Sequence, residues 1–554
     1  MASIFGTLRN LAYPQKLTFA FEYAGVANGA SNAVFDAIIA QCPSLVGTNQ
    51  PHMSRRLPTG HLQTVYSAAA DFSTIDQVQY KRKVFLTPDG GTIAVDIAPP
   101  ALAEPVQASE DVPTVVILHG LTGGSHESYV RNCVAHFVRP KDQGGCGFRC
   151  VVVNSRGCAD TPVTSPQLYS AANISDLESA LLLLTHMFPQ SLMTGIGFSL
   201  GGAILTRYMG MRGKETPLLA GVVVGAPFQL KVASDCMESF WLNNVYSHVM
   251  GRNLLKLLSK HADALALSPA LWDPLERAFG EKIRPGDEHK AELEPNSPTR
   301  GTLRFVDHYV VTHTGGFKAP YGEFPFADAD AYYYGASSTN TLDGIARPFL
   351  ALNADDDPIV PLHAMDEFRS QLQKNDSIVY AHSRHGGHLG WFTANNVRWI
   401  NTPIAEYMTA IFSAFTAPDC KHEDTGIGSG GPRMSAWKRD GVASKPVEVE
   451  LLPASALLPA LPSRRKQVQK DTDDSLRAWL VTQVLNIPLM HPKDAPARLA
   501  MTEVPPLPKG DIHTLTLYQD KSKPQVGFIE LPAEWAIGLS AYVHQKVKHF
   551  ELRV

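Results

Sequence analysis

A serine set among glycines is the residue best suited to do chemistry in this chain of 554 residues. Residues 197–202 read Gly-Phe-Ser-Leu-Gly-Gly, and they follow a predicted strand and open a predicted helix at 203–209. The sharp turn between such a strand and helix needs small residues beside the serine, because the backbones pack closely there. The pattern predicts that Ser199 is an exposed nucleophile at a helix N-terminus, where partial positive charge favours a developing oxyanion.

A second glycine-rich segment, His-Gly-Leu-Thr-Gly-Gly at 119–124, directly follows a predicted strand at 114–118. An oxyanion is stabilised by two converging backbone N–H groups, one after the nucleophile and one from a loop after an earlier strand. These donors are predicted to be the amides of Leu200 and Leu121. The alternatives are a glycine turn without a ligand and a phosphate-binding loop. The segment contains neither a Walker lysine nor the spacing G-x-G-x-x-G, which disfavours nucleotide binding.

A serine nucleophile needs a base, and the base is oriented by a carboxylate that follows the serine in chain order. Residues 353–361 read Asn-Ala-Asp-Asp-Asp-Pro-Ile-Val-Pro and end a predicted strand. Three adjacent aspartates point in different directions, so only one of them can face the base. The spacing favours Asp357, and Asp356 is the alternative.

The predicted base is His388, which lies in a His-Gly-Gly-His-Leu-Gly-Trp loop at 385–391, just after a predicted strand. Flanking glycines allow a histidine of such a loop to approach the serine closely. His382 and His385 are the local alternatives. His61, in the segment Gly-His-Leu-Gln-Thr at 60–64, lies far upstream and is interpreted as structural. No H-E-x-x-H motif or clustered His/Cys spacing is present, so no metal and no cofactor is predicted.

The composition is typical of a globular enzyme, with 44% hydrophobic and 18% charged residues. A formal net charge of −4 supplies no basic field for nucleic acid, so no nucleic-acid partner is predicted. The seven cysteines form no C-x-x-C pair, which favours a reducing, intracellular compartment. No apolar run reaches the roughly 18 to 20 residues of a transmembrane helix. Apolar residues at helical spacing near the N-terminus could pack on the core or touch a membrane surface: Ile4, Phe5, Leu8 and Leu11.

Apolar runs alternate with helical patterns from about residue 80 to 415, which predicts a mostly parallel, eight-stranded sheet with helices on both faces. The predicted strands lie at 84–86, 93–97, 114–118, 150–153, 193–198, 221–225, 349–353 and 377–381. The predicted organisation is an N-terminal helical or irregular segment at 1–80 that packs on the core, and an α/β domain at 81–415 with an inserted helical lid at about 229–345. A Pro- and Gly-rich flexible linker at 416–475 and a small C-terminal appendage at 476–554 follow.

Taken in order, these motifs resemble the AB-hydrolase family 4 proteins of the α/β-hydrolase superfamily. The similar segments lie at 60–64, 119–125, 154–158, 197–202, 353–358 and 386–390, and the resemblance covers about residues 45–415. This family includes bacterial YheT-like hydrolases, plant embryogenesis-associated proteins, and yeast medium-chain acyl-CoA:ethanol acyltransferases that are also esterases. The resemblance implies a catalytic triad of Ser199, Asp357 and His388, and it implies lipid or medium-chain acyl substrates. The tail after about residue 416 has no counterpart in this family.

The sequence therefore predicts a serine hydrolase that acts on carboxylic esters through an acyl-enzyme. The alternatives are an alcohol O-acyltransferase that forms medium-chain esters from acyl-CoA, and a non-catalytic hydrolase fold that binds lipids or a partner. The expected partners are an acyl ester or acyl-CoA as substrate and water or an alcohol as acceptor. The expected location is the cytoplasm or the periphery of a lipid membrane or lipid droplet.

Overall fold

The computed structural model describes most of the chain up to residue 416 and three short segments beyond it. The described residues are 21–24, 38–46, 51–87, 89–104, 112–239, 241–284, 301–318, 322–361, 369–372, 374–395, 397–416, 516–519, 527–530 and 550–553. The apolar stripe predicted at the N-terminus, almost all of the predicted linker and most of the predicted appendage lie outside these residues.

A nine-stranded sheet in the order β1-β9-β8-β7-β6-β4-β5-β3-β2 forms the centre of the fold. Its strands are β1 (Phe21–Ala24), β2 (Lys81–Leu86), β3 (Thr92–Ala98), β4 (Thr114–Leu118), β5 (Arg149–Asn154), β6 (Met193–Phe198), β7 (Leu218–Val224), β8 (Phe349–Ala354) and β9 (Ile378–Ser383). The six neighbouring strands β5, β4, β6, β7, β8 and β9 run parallel to one another. At one edge β1 pairs antiparallel with β9, and at the other edge β3 pairs antiparallel with both β5 and β2.

The predicted α/β-hydrolase architecture is confirmed, and all eight predicted strands are present as β2 to β9. The sheet has one further strand, β1, which pairs antiparallel with β9. Its four residues, Phe-Glu-Tyr-Ala, are too few to show a period of two in the sequence. The central strands carry continuous Val, Ile and Leu because helices cover both of their faces.

The helices divide into those that cover the sheet and those inserted after β7. They are α1 (Gly60–Ala69), α2 (Ser128–Val138), α3 (Ser175–Met187), α4 (Leu200–Arg212), α5 (Leu230–Ser239), α6 (Trp241–Lys260), α7 (Ala262–Ala266), α8 (Trp272–Phe279), α9 (Leu303–Val306), α10 (Thr312–Thr314), α11 (Ala329–Ala336), α12 (Arg369–Leu372) and α13 (Asn401–Thr416). A π-helical stretch, Asp307–Val311, joins α9 to α10. Side chains of α2 and α13 pack on one face of the sheet and those of α3 and α4 pack on the other.

Helices α5 to α11 all lie between β7 and β8, where the sequence predicts the lid. Many of their buried apolar residues, such as Leu254, Leu255 and Leu258, belong to one cluster that also includes residues outside the insertion: Val163, Leu168, Ala171 and Ala203. The side chains of Leu121 and Leu200 are partly buried against this cluster. The apolar cluster to which the insertion contributes therefore extends to the two loops that the sequence assigns to the oxyanion hole.

The described part of the C-terminal region consists of three strands, β10 (Thr516–Gln519), β11 (Gly527–Glu530) and β12 (Phe550–Arg553). β10 pairs antiparallel with β11, and β11 pairs parallel with β12. All three strands lie within the region of the predicted C-terminal appendage. Within the described ranges, no helix is both long and apolar enough to cross a bilayer.

Candidate active site

Ser199 lies at the turn between β6 and α4 in a backbone conformation that non-glycine residues rarely adopt. Its φ and ψ are 51° and −118°, and its N–H donates to the carbonyl of Val224 at 2.9 Å. Such strain persists where the surrounding structure holds it, and it is concentrated at functional sites. A β-carbon at position 201 would lie 2.5 Å from the carbonyl oxygen of His119, so only Gly201 fits beneath the turn.

His388 connects Ser199 to Asp357. Its Nε2 lies 2.9 Å from the Oγ of Ser199, and its Nδ1 lies 2.7 Å from Oδ2 of Asp357. Asp357 is 1% exposed and His388 is 8% exposed, whereas Ser199 is only half-buried. The three residues predicted as the triad thus form a chain of two hydrogen bonds, and the serine is its most accessible member.

The turn that follows β8 holds the carboxylate of Asp357 in place. Oδ1 of Asp357 accepts hydrogen bonds from the N–H groups of Ile359 and Val360 at 2.8 and 3.0 Å. Pro358 lies between Asp357 and these donors, so the Asp-Pro-Ile-Val order builds an Asx-type turn around the carboxylate. Oδ2 of Asp357 then faces the imidazole of His388. This turn gives a structural reason why the Asp-Pro-Ile-Val-Pro spacing favours Asp357.

The two other aspartates of the run have histidine partners of their own. The Nδ1-to-carboxylate distances are 2.7 Å for His382–Asp355, 3.2 Å for His385–Asp356 and 2.7 Å for His388–Asp357. Three consecutive aspartates therefore meet three histidines spaced three residues apart. Asp356, the alternative acid, contacts His385 and the N–H of Gly387 at 2.9 Å. It holds the loop before His388, and its contacts do not include the His388 imidazole.

The loop after β4 passes directly beside Ser199. A β-carbon on Gly120 would lie 3.4 Å from the Cβ of Ser199, so the loop can approach the nucleophile because this residue is glycine. Neither the N–H of Leu121 nor that of Leu200 donates to an acceptor within the described part of the chain. Two unpaired amides are thus left on the two loops that flank Ser199.

The segment 60–64 contributes more to the site than its interpretation as a structural element indicated. Thr64 accepts the N–H of His388 at 2.8 Å, and Gln63 accepts the N–H of Phe392 at 2.8 Å. The side-chain amide of Gln63 also donates to the carbonyl of Leu57. The polar Gln-Thr pair beside His61 was the available signal, because buried amides and hydroxyls need partners.

His61 itself faces the helical insertion. Its Nδ1 lies 2.9 Å from the hydroxyl of Tyr246 on α6, and the two rings stack with centroids 5.8 Å apart. Burial lowers the pKa of His61, although the nearby carboxylates of Asp356 and Asp357 oppose the shift. This contact ties the N-terminal helix α1 to the insertion on the acid side of the site.

The described side chains include no group of three or more His, Cys, Asp or Glu residues arranged to hold a metal ion. The arrangement of Ser199, His388 and Asp357 has the geometry that acyl transfer through a serine requires.

The chain belongs to the α/β-hydrolase fold family, which it matches over residues 113–390. Among its relatives is the Monoacylglycerol lipase of Saccharomyces cerevisiae, 29% identical over 422 residues that cover 68% of this chain and 86% of the lipase. The Embryogenesis-associated protein EMB8 of Picea glauca is 28% identical, with 67% of this chain and 77% of that protein covered. The Medium-chain fatty acid ethyl ester synthase/esterase 2 of S. cerevisiae is 27% identical, with 66% and 87% covered. The resemblance to the AB-hydrolase family 4 proteins and the prediction of a hydrolase are confirmed.

Proposed function

We propose that this protein is a serine esterase that cleaves medium-chain acyl or lipid esters with Ser199, His388 and Asp357 as its catalytic residues. The observation that carries the proposal is the imidazole of His388, which lies within hydrogen-bonding distance of both the Ser199 hydroxyl and the Asp357 carboxylate. A serine with a base, and a base with an orienting carboxylate, form the minimal arrangement for nucleophilic catalysis.

In the first half of the reaction, Oγ of Ser199 attacks the acyl carbonyl carbon while Nε2 of His388 takes the serine proton. Asp357 accepts the Nδ1–H of His388, which sets the tautomer and stabilises the imidazolium. The N–H groups of Leu121 and Leu200 stabilise the tetrahedral oxyanion. The bond between the carbonyl carbon and the leaving oxygen then breaks, and His388 returns the proton to the departing alcohol.

In the second half, His388 removes a proton from a water molecule that attacks the acyl-enzyme. A second tetrahedral intermediate forms in the same oxyanion site, the bond to Ser199 Oγ breaks, and the free acid leaves. The proton returns from His388 to Ser199, so the enzyme is restored with one ester and one water consumed.

The helical insertion supports an apolar acyl substrate. The apolar cluster to which it contributes packs on the side chains of Leu121 and Leu200, so this cluster extends to both predicted oxyanion loops. An acyl chain gains about 0.8 kcal/mol for each CH₂ that it buries against such surface. The names of the yeast relatives, a monoacylglycerol lipase and a medium-chain ester synthase/esterase, agree with this substrate class.

Acyl transfer to an alcohol is the second candidate function, favoured by the similarity to a protein named as both synthase and esterase. The same Ser199 acyl-enzyme would form from acyl-CoA with release of the CoA thiol. An alcohol would then attack in place of water and leave as the ester. The two reactions share every catalytic residue and differ in how well the acceptor site excludes water.

A fluorophosphonate probe tests the proposal, because an activated serine beside an oxyanion site attacks phosphorus and an ordinary serine does not. The full-length protein is labelled beside Ser199→Ala, and the modified residue is located by peptide mass spectrometry. The expected result is labelling at Ser199 that the variant lacks. Folded wild-type protein that stays unlabelled would contradict the proposal and favour a non-catalytic lipid- or partner-binding fold.

A second assay separates the two candidate reactions. Esters and acyl-CoAs of graded chain length are incubated with and without ethanol, and both free acid and new ethyl ester are measured. Free acid as the main product under all conditions supports the esterase. Ethyl ester formed faster than free acid supports the acyltransferase.

A further inference from the structure

The amides on either side of Leu121 are each held by a tyrosine hydroxyl. The N–H of Gly120 donates to the hydroxyl of Tyr129 at 2.8 Å, and the N–H of Thr122 donates to the hydroxyl of Tyr169 at 2.8 Å. The N–H of Leu121 lies between them and donates to no acceptor within the described residues. Of three successive amides beside Ser199, the outer two are occupied and the middle one is free.

Both tyrosines are anchored by their surroundings. Tyr129 on α2 is 9% exposed, and its ring packs on Phe198, the residue before the nucleophile, with centroids 5.1 Å apart. Tyr169 is 8% exposed, and its hydroxyl lies 3.5 Å from the Sγ of Cys158. Hydroxyls on packed rings are rigid acceptors, because the ring leaves the oxygen little freedom to move.

The carbonyl of Gly120 is held as firmly as the two outer amides. It accepts the Nδ1–H of His119 at 2.7 Å and the N–H of Gly123 at 3.2 Å. This assignment of the His119 proton is required by Nε2, which accepts the N–H of Ser155 at 3.1 Å. The carbonyl of Gly120 and the N–H of Leu121 belong to one planar peptide group, so fixing the carbonyl also fixes the direction of that N–H.

We infer that Tyr129 and Tyr169 are positioning residues that aim the Leu121 N–H at the reacting carbonyl oxygen. The inference rests on the proposed function, since it assigns a purpose to the free amide that only acyl transfer would use. Three consecutive peptide planes are immobilised: the first by Tyr129, the second through the Gly120 carbonyl, and the third by Tyr169. A preorganised donor needs no reorganisation when charge develops, which is why such donors accelerate acyl transfer.

The two hydroxyls also select which amide remains free. A loop with three unpaired N–H groups could turn any one of them toward the oxyanion, or toward water. With the outer amides occupied, the Leu121 N–H is the one of these three that has no acceptor among the described residues. A misplacement of about 1 Å at such a donor can cost on the order of a hundredfold in rate.

The test removes each hydroxyl without changing the ring. Tyr129→Phe and Tyr169→Phe are compared with Tyr208→Phe, a matched control in α4 whose hydroxyl is buried and bonds Thr216 at 3.2 Å. Three quantities are measured for each protein below its own melting temperature: the rate of fluorophosphonate labelling, kcat and KM for one ester, and Ki for a trifluoromethyl ketone with the same acyl chain. The ketone forms a tetrahedral adduct that uses the oxyanion site.

The expected result for each loop variant is a drop of about tenfold to a hundredfold in labelling rate and kcat, with KM within about twofold of wild type. The ketone Ki should rise by the same factor, and Tyr208→Phe should match wild type. Variants that label and turn over at wild-type rates overturn the inference. A rise in KM with kcat unchanged, or a loop variant that does not fold, also overturns it, because the hydroxyls would then serve binding or stability alone.

Failure of the proposed function gives a different outcome. In that case the folded wild-type protein is neither labelled at Ser199 nor active on any ester, before any tyrosine is changed. An active wild type with equally active Tyr129→Phe and Tyr169→Phe variants leaves the esterase assignment standing and removes only the role of the two hydroxyls.

Discussion

The hydroxyl of Thr64 accepts a hydrogen bond of 2.8 Å from the backbone N–H of His388, a residue 324 positions later in the chain. The same hydroxyl donates to the carbonyl of Gly60 at 2.7 Å, so its proton and one lone pair are both used. The predicted base is therefore held in place by a side chain of α1, which lies outside the sheet that carries the serine and the acid.

Thr64→Val should reduce both activity and stability, because valine keeps the shape of threonine and leaves the N–H of His388 without its acceptor. An unsatisfied buried donor costs about 1 to 3 kcal/mol. We expect a fall of about tenfold in kcat with a smaller change in KM, since the imidazole would lose its fixed orientation. Ester kinetics and urea unfolding measure the two effects. Thr64→Ser, which retains the hydroxyl, is the control, and equal activity of the Val and Ser variants would contradict this role.

Asp357→Asn should reduce kcat by about a thousandfold to ten-thousandfold, because a neutral amide no longer stabilises the imidazolium and can hold the wrong tautomer. Asp355→Asn should change kcat little, since Asp355 pairs with His382 and does not contact His388. Steady-state turnover of one ester by the two variants gives the comparison. A large loss of kcat in Asp355→Asn together with an unchanged kcat in Asp357→Asn would show that the catalytic acid is assigned incorrectly.

Asp356→Asn should have an intermediate effect, because Asp356 positions the loop before the base. Its carboxylate accepts from the N–H of Gly387 and from His385. The amide of asparagine can still accept one of these bonds, so we expect a loss of about tenfold in kcat. The measurement is the same ester assay with thermal melting beside it. A loss as large as that of Asp357→Asn would identify Asp356 as the acid.

Acyl chain length should raise the specificity constant until the apolar surface of the insertion is filled. Each CH₂ buried contributes about 0.8 kcal/mol, so kcat/KM should climb several-fold per pair of carbons from acetyl toward medium chains and then level off. A series of p-nitrophenyl esters measures this dependence. A series that is highest at acetyl and falls with every added carbon would exclude an acyl pocket and leave the hydrolase assignment intact.

The stability of the helical insertion should depend on pH through Asp307. Burial raises the pKa of Asp307 from its ordinary value of 3.8 to about 7, while hydrogen bonding from Tyr333 and the charge of Arg304 oppose the shift. The folded state thus binds more protons than the unfolded state between these two values. This group's contribution is fully present below about pH 4 and is lost as the pH rises through 7, at about 1.4 kcal/mol per pH unit between the two pKa values.

Asp307→Asn should remove this dependence, because the amide can accept the Tyr333 hydroxyl without a charge to desolvate. Thermal melting of wild type and variant at pH 5 and pH 8 measures the difference. We expect the variant to lose less stability than wild type over that interval. The exposed Asp343→Asn is the matched control, and identical pH dependence in all three proteins would refute the prediction.

Much of the site could be predicted because its requirements are local. Ser199 needs small neighbours at a strand-to-helix turn, Asp357 needs the Pro-Ile-Val turn that offers it two amides, and His388 needs flexible glycines before it. Each requirement is met within a few residues and is therefore visible in the chain. Strands β3 to β9 are buried along their whole length and were equally visible, since strands buried on both faces are continuous in apolar residues.

Which aspartate faces which histidine depends on the tertiary structure. The order Asp-Asp-Asp and the spacing of His382, His385 and His388 allow several pairings, and the parallel register of β8 with β9 selects among them. The hydroxyls of Thr64, Tyr129 and Tyr169 also become partners of the site loops only after distant segments pack together. The identity and the chain order of the catalytic residues could be predicted from the sequence alone, because each residue lies in a short motif that local backbone geometry requires. The hydrogen-bond partner of each of these residues was decided by the tertiary structure. A hydrogen bond requires a short distance between two groups, and groups far apart in the chain reach that distance only when the helices pack on the sheet.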